Sequence, residues 1–161
     1  MFYAEIFHVQ TFYANGPFAP HGQIEREMMT QATQQAAIYE AIGGAPAIAR
    51  LVDRFYDLMD SLPEARELRA IHASDLTETK RVLRLYLAQW MGGPGDYSAE
   101  RGHPRLKSRH MGFPIGVAER DAWLQCMRLA LGDVVPSVQA REAIMQALTP
   151  LADWMRNRPE G

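Results

Sequence analysis

From Ile38 onward the apolar residues return every three or four positions, and the runs are cut by paired glycines and by prolines. Spacings of three and four put apolar side chains on one face of an α-helix. The cuts are too frequent for one long rod, so the helices must be short and must pack on each other. Ile48, Leu51, Val52, Phe55, Tyr56 and Met59 predict a helix over about 45–61. Gly43-Gly44 stops the amphipathic turn before it, because glycine accepts positive φ without a Cβ clash. Pro46 suits the first turn that follows. Pro63 opens a shorter helix whose main apolar residue is Leu68.

Asp75, three residues before Glu78, reads as a capping-box start. The helix it opens turns Thr79, Val82, Leu83, Tyr86, Leu87 and Trp90 inward and stops at Gly92-Gly93-Pro94. Residues 96–105 read as loop, followed by a helical turn ending near His110. A strong helix is expected over 117–131, with Trp123, Cys126, Met127 and Ala130 on one face. Pro136-Ser137 restarts the chain. The last helix carries Ile144, Met145, Leu148, Leu151, Ala152 and Met155, and Pro150 inside it should kink or locally break it. No strand alternation follows residue 14. The reading is an all-α domain of about six helices over residues 36–158.

Residues 1–35 differ. Phe2, Tyr3, Ile6, Phe7, Phe12 and Tyr13 crowd together, and Asn15-Gly-Pro-Phe-Ala-Pro20 breaks any regular element. This N-terminal extension is either an arm that packs on the domain or on a partner, or a stretch upstream of a start at Met28 or Met29. Gln23 to Ala37 is polar and suits a helix leading into the domain. His8 and His21 receive no role.

Composition removes several function classes. A net charge of −2 supplies no basic field for nucleic acid. The single cysteine, Cys126, excludes an internal disulfide, a cysteine-based zinc site and a CxxCH haem attachment. Cys126 itself reads as a small buried apolar residue. No apolar run reaches the roughly 18 residues needed to span a bilayer, and no basic, then apolar, leader is seen. A cytoplasmic location is the expectation.

The chemistry concentrates in Arg101-Gly-His-Pro-Arg-Leu-Lys-Ser-Arg-His110 and the residues after it. His110 stands behind a basic run and ahead of the loop Met111-Gly-Phe-Pro-Ile115, with Trp123 on the next helix. On residue chemistry alone two readings stay open: a surface histidine in a basic loop, or the ligand of a metal-centred cofactor. His103 competes for the same role, although Pro104 biases it towards extended backbone. Arg105, Lys107 and Arg109 form either a solvated face or a partner for carboxylates, which guanidinium groups pair with well.

Ile38-Tyr-Glu-Ala-Ile-Gly-Gly44, Arg54-Phe-Tyr56, Trp90-Met-Gly-Gly-Pro94, Tyr97, Arg101-Gly-His-Pro-Arg-Leu106, Arg109-His110 and Glu119-Arg-Asp-Ala-Trp123 occur in this order. Together they resemble the group II truncated haemoglobins over about residues 36–156. The resemblance implies a truncated globin fold: a two-over-two α-helical sandwich, here with an N-terminal extension, around noncovalent haem b.

On that resemblance His110 is the proximal iron ligand and His103 is structural. Tyr56, His72 and Trp123 form the distal, ligand-stabilising set. Thr79 falls where many globins place a distal histidine or glutamine. It cannot ligate iron, and its small size leaves a ligand path. Leu83, Tyr86, Trp90, Leu106, Phe113, Ile115 and Met127 are pocket walls, and Arg109 is the strongest partner for the haem propionates.

The implied function is binding of dioxygen, nitric oxide, carbon monoxide or peroxide at a penta-coordinate-capable iron, with slow oxygen release. An alternative is nitric-oxide dioxygenation or peroxidase-like turnover. The chain carries no nucleotide fingerprint, so turnover would need an external reductase. A haem-free helical interaction module is the remote alternative, and an oligomer is possible.

Overall fold

A computed structural model describes Arg26, Met29 and residues 38–159. Arg26 and Met29 are helical and exposed. The aromatic cluster and the rest of the expected arm lie outside the described residues.

After a helical turn at 38–41, helix α1 runs over Gly44–Ser61. Eight of its residues are buried, among them Ala47, Leu51, Val52 and Phe55 with no exposed surface. They cover more than one face because α1 is the middle helix of the fold. A 3-10 turn at Pro63–Ala65 leads into α2, Arg66–Ala70, whose buried residue is Leu68. Helix α3 spans Thr77–Trp90, α4 Asp96–Arg101 and α5 Leu106–His110. The two long closing helices are α6, Val117–Val134, and α7, Val138–Met155. No strand occurs among the described residues.

The main packing runs α3 to α1, α1 to α6 and α6 to α7. Two helix pairs, α1 with α3 and α6 with α7, therefore lie against each other through α1 and α6. This is the two-over-two sandwich. The core sits at that crossing, where Phe55, Met59, Cys126, Met127, Ala130 and Leu131 are all sealed from solvent.

The end of α3 shows how tightly the glycine signals act. Gly93 N–H donates to the Ala88 carbonyl at 2.8 Å and Gly92 N–H to the Gln89 carbonyl at 3.0 Å. Gly92 has φ 91°. These are the paired bonds of a Schellman stop, which satisfies the last carbonyls of a helix. A Cβ on Gly93 would lie 2.6 Å from the Tyr39 ring and 2.8 Å from the Ala88 carbonyl oxygen.

Three local expectations change. The Asp75–Glu78 capping box does not form. Asp75 Oδ1 accepts from Thr77 N–H at 2.9 Å, one residue too early for a box, and Leu76 is the N-cap residue. Glu78 instead accepts from Arg81 at 2.7 Å. The stretch 96–105 is not all loop, since α4 occupies its first six residues. Tyr97 packs edge-on against Tyr86 at 5.5 Å, and Gln89 brackets Ser98, accepting from its N–H at 2.9 Å and donating to its hydroxyl at 2.7 Å. Finally, Pro150 does not break α7, which continues as helix to Met155.

Helix starts follow side-chain chemistry. Ser137 Oγ accepts from Ala140 N–H at 3.2 Å and opens α7 as an N-cap. At α6, Glu119 reaches back to the Gly116 N–H at 2.8 Å. That is the half of a capping box that a glycine cap leaves available.

Candidate functional site

Between the two helix pairs lies a cavity of about 580 Å³ with mostly apolar walls. Pockets for organic cofactors and ligands commonly measure roughly 300–1,000 Å³. Every helix from α1 to α7 contributes to its lining.

His110, the last residue of α5, forms part of the wall and is half-buried. Its Nδ1 lies 2.7 Å from the carbonyl oxygen of Leu106, one turn back on α5. A carbonyl only accepts, so Nδ1 carries the proton and Nε2 keeps the lone pair. This is the arrangement that prepares an imidazole to bind a metal through Nε2. Among the described residues no three His, Cys, Asp or Glu side chains gather into a group able to hold an ion. One prepared imidazole suits a metal whose other ligands come from a macrocycle.

A second part of the wall is aromatic. Tyr56, His72 and Trp123 all line the cavity. Tyr56 meets His72 edge-on at 5.8 Å between ring centroids. Phe55, behind them, touches Tyr56 at 5.0 Å and Trp123 at 5.3 Å. Burial pushes the Tyr56 phenol well above its ordinary pKa, so it stays a neutral O–H donor. Burial also lowers the His72 pKa, opposed by its bond to Leu68 and aided by the neighbouring Arg69 charge and by the nearness of His110. His72 Nδ1 lies 2.8 Å from the Leu68 carbonyl, so the neutral ring offers Nε2 as an acceptor and has no second N–H.

Thr79, Leu83, Tyr86, Leu106, Phe113 and Ile115 also line the cavity. Trp90 and Met127 do not. Both are buried in the core beneath it, because a helix's apolar stripe is wider than the part that meets the cavity. His103 stays off the wall as well. Its Nδ1 accepts from Arg105 N–H at 3.1 Å and braces the turn before α5. Arg105 there takes φ 43°, the only positive φ of a non-glycine residue among those described. Cys126 is fully buried, and burial raises its thiol pKa to about 11, consistent with an inert packing residue.

The charged rim comprises Glu78, Arg101, Arg109, Glu119 and Arg120. Arg109 is partly engaged already. Its Nε donates to the Pro104 carbonyl at 2.9 Å and Nη2 to the Arg101 carbonyl at 3.2 Å. Lys107 leaves the rim altogether, donating to the Trp154 carbonyl at 2.7 Å and to the Arg156 carbonyl at the end of α7.

Several wall residues escaped the sequence reading, notably Tyr97 from α4 and Leu148, Leu151 and Met155 from α7. The signal for the α7 group was present as an apolar stripe, but the stripe alone does not separate core from cavity.

The residues fit a haem. An apolar slot suits the ring, His110 offers the nitrogen, and arginines stand at the rim for carboxylates. An orphan supports the match: the Tyr86 hydroxyl is buried at the cavity with no hydrogen-bond partner in the protein. Buried tyrosines normally find a partner.

Comparison with known proteins agrees. The bacterial-like globin family matches residues 37–157. A group 2 truncated haemoglobin, YjbI of Bacillus subtilis (strain 168), is 43% identical over 124 residues, 77% of this chain and 91% of that one. The solved group II 2-on-2 haemoglobin of Agrobacterium tumefaciens is 44% identical with a TM-score of 0.74, covering 76% of this chain and 95% of that chain. A solved haemoglobin of Chloroflexus aurantiacus is 44% identical with a TM-score of 0.69, covering 75% and 98%. This chain belongs to the bacterial-like globin family, as a group II truncated haemoglobin, and shares that family's haem-based binding of small diatomic ligands.

Proposed function

We propose that this chain holds haem b noncovalently through His110 Nε2 and binds dioxygen with slow release. The observation that carries the reading is the His110 bond to Leu106, which leaves Nε2 free to ligate from the wall of a haem-sized apolar cavity. Bound haem would supply an iron centre at which a diatomic ligand gains partial negative charge.

The chain's own residues then set the fate of that charge. Tyr56, kept neutral by burial, and Trp123, whose indole is only a donor, would give hydrogen bonds to the ligand. A bond to a charged group is worth about 1.5–3 kcal/mol, so two donors would slow release by roughly a hundredfold. His72 would accept rather than give, because its Nδ1 proton is committed to Leu68. Thr79 leaves room on the ligand side and supplies no iron ligand. Arg109 and Arg101 would meet the propionates at the rim.

Absorption and resonance Raman spectroscopy of wild type and His110→Gly test this directly. The expected result is an iron–histidine stretch in the ferrous wild type, lost in the variant and replaced by an iron–imidazole band when imidazole is added. A stretch that persists in His110→Gly without imidazole would overturn the assignment.

A further inference from the structure

The segment after α7 holds the loop after α5. Asn157 has two amide N–H groups and one carbonyl oxygen, and all are spent on residues 110–115. Nδ2 donates to the His110 carbonyl at 3.0 Å and to the Phe113 carbonyl at 2.8 Å, while Oδ1 accepts from Ile115 N–H at 3.1 Å. Two carbonyls and one N–H leave no choice in the orientation of the amide. The backbone joins in: Asn157 N–H and Arg158 N–H both donate to the Ile115 carbonyl, at 2.9 and 3.1 Å. Lys107, on α5, donates from the opposite direction to the last carbonyls of α7. The two segments are thus tied by bonds running both ways.

His110 is consequently held at two points. Its ring is pinned through Nδ1 to Leu106, and its own carbonyl is pinned by Asn157 and by Phe113 N–H at 3.0 Å. The first bond sets the ring's rotation, and the second sets the peptide plane from which the side chain departs. We propose that Asn157 is a positioning residue for the proximal histidine: it aims His110 at the cavity and closes the loop over that side. The inference rests on His110 being the iron ligand. Asn157 touches neither the cavity nor a ligand, and acts only through the loop.

The test uses the full chain loaded with haem and the variant Asn157→Asp. The replacement keeps the shape but supplies acceptors only, so a carboxylate oxygen faces two carbonyls. Three quantities are read: the ferrous iron–histidine band, the rate of haemin transfer to apomyoglobin, and amide exchange at Ile115 in haem-free protein. Losing the two Nδ2 bonds, each of ordinary strength, and turning a carboxylate oxygen on the two carbonyls should loosen the loop, speed haemin loss and Ile115 exchange about tenfold or more, and shift or broaden the band. Ser137→Ala, which weakens the far end of α7, should leave the band and Ile115 exchange unchanged. Should Asn157→Asp not fold, Asn157→Ala removes all three side-chain bonds without adding charge and is read the same way. A band and haemin loss unchanged in the variant overturn the positioning role alone. A wild type with no iron–histidine band overturns the His110 assignment and the positioning role with it.

Discussion

His72 and His110 face one cavity and are held by the same device: each ring donates Nδ1–H to the carbonyl four residues earlier, at 2.8 Å to Leu68 and 2.7 Å to Leu106. Each therefore presents Nε2 as a lone pair. One chain has set two imidazoles in the same tautomer on the same pocket. Within the aromatic set Tyr56, His72 and Trp123, donation toward the cavity then falls to Tyr56 and Trp123, because the His72 N–H is committed to Leu68.

Burial of the His72 ring makes stability depend on pH. Burial lowers the His72 pKa from its ordinary 6.5. As pH falls through about 6.5 the unfolded chain takes up a proton that the folded chain still refuses, so unfolding is favoured. The contribution to stability is present above the unfolded value and declines below it. His72→Phe should flatten the fall in urea midpoint between about pH 7.5 and 5.5. Parallel falls in wild type and variant would show that His72 is not the group responsible.

Tyr56→Phe and Trp123→Phe each delete one donor while preserving most of the wall. Stopped-flow measurement should find oxygen dissociation faster by roughly tenfold or more in each variant. Rates unchanged in both would remove these residues from the ligand side.

Gly93→Ala should lower the melting temperature sharply. Its Cβ would meet both the Tyr39 ring and the Ala88 carbonyl, and forced overpacking costs about 1–3 kcal/mol. Trimming the ring with Tyr39→Ala should recover little, because the backbone clash with Ala88 remains and a cavity is added. Full recovery in the double variant, followed by thermal unfolding, would place the whole strain on the ring.

Ser137→Ala removes the side-chain cap of α7. Loss of such a cap typically costs about 1 kcal/mol, or about 2–4 °C in melting temperature for a domain of this size. Calorimetry on the haem-loaded protein checks it, and an unchanged midpoint would show the cap to be redundant.

The long helices were legible because each buries an unbroken stripe, and the stops were legible because Gly92 and Gly93 meet a geometric demand that few residues satisfy. α4 was not legible: Tyr97 is its sole buried residue, and one apolar position in six makes no period. Trp90 and Met127 were set on the wall instead of in the core because periodicity reports a helix's inner face, not which neighbour that face meets. The Asp75 cap failed by one residue, since Leu76 is the N-cap, within the usual blur of helix ends. Asn157 carried no signal at all. A polar residue just past a helix end is ordinary, and its worth comes wholly from carbonyls brought to it by the fold.

Those carbonyls belong to residues made much earlier. Asn157 follows His110 by 47 positions. At a synthesis rate of about 5–20 residues per second, roughly 2–10 s pass between the two. During that interval α1 and α3 are complete and α6 is emerging, while the peptide that aims His110 still lacks its fastening. On the positioning role proposed for Asn157, the loop that carries His110 is therefore fastened only once the chain's last helix has been made, and until then the ring has its bond to Leu106 alone.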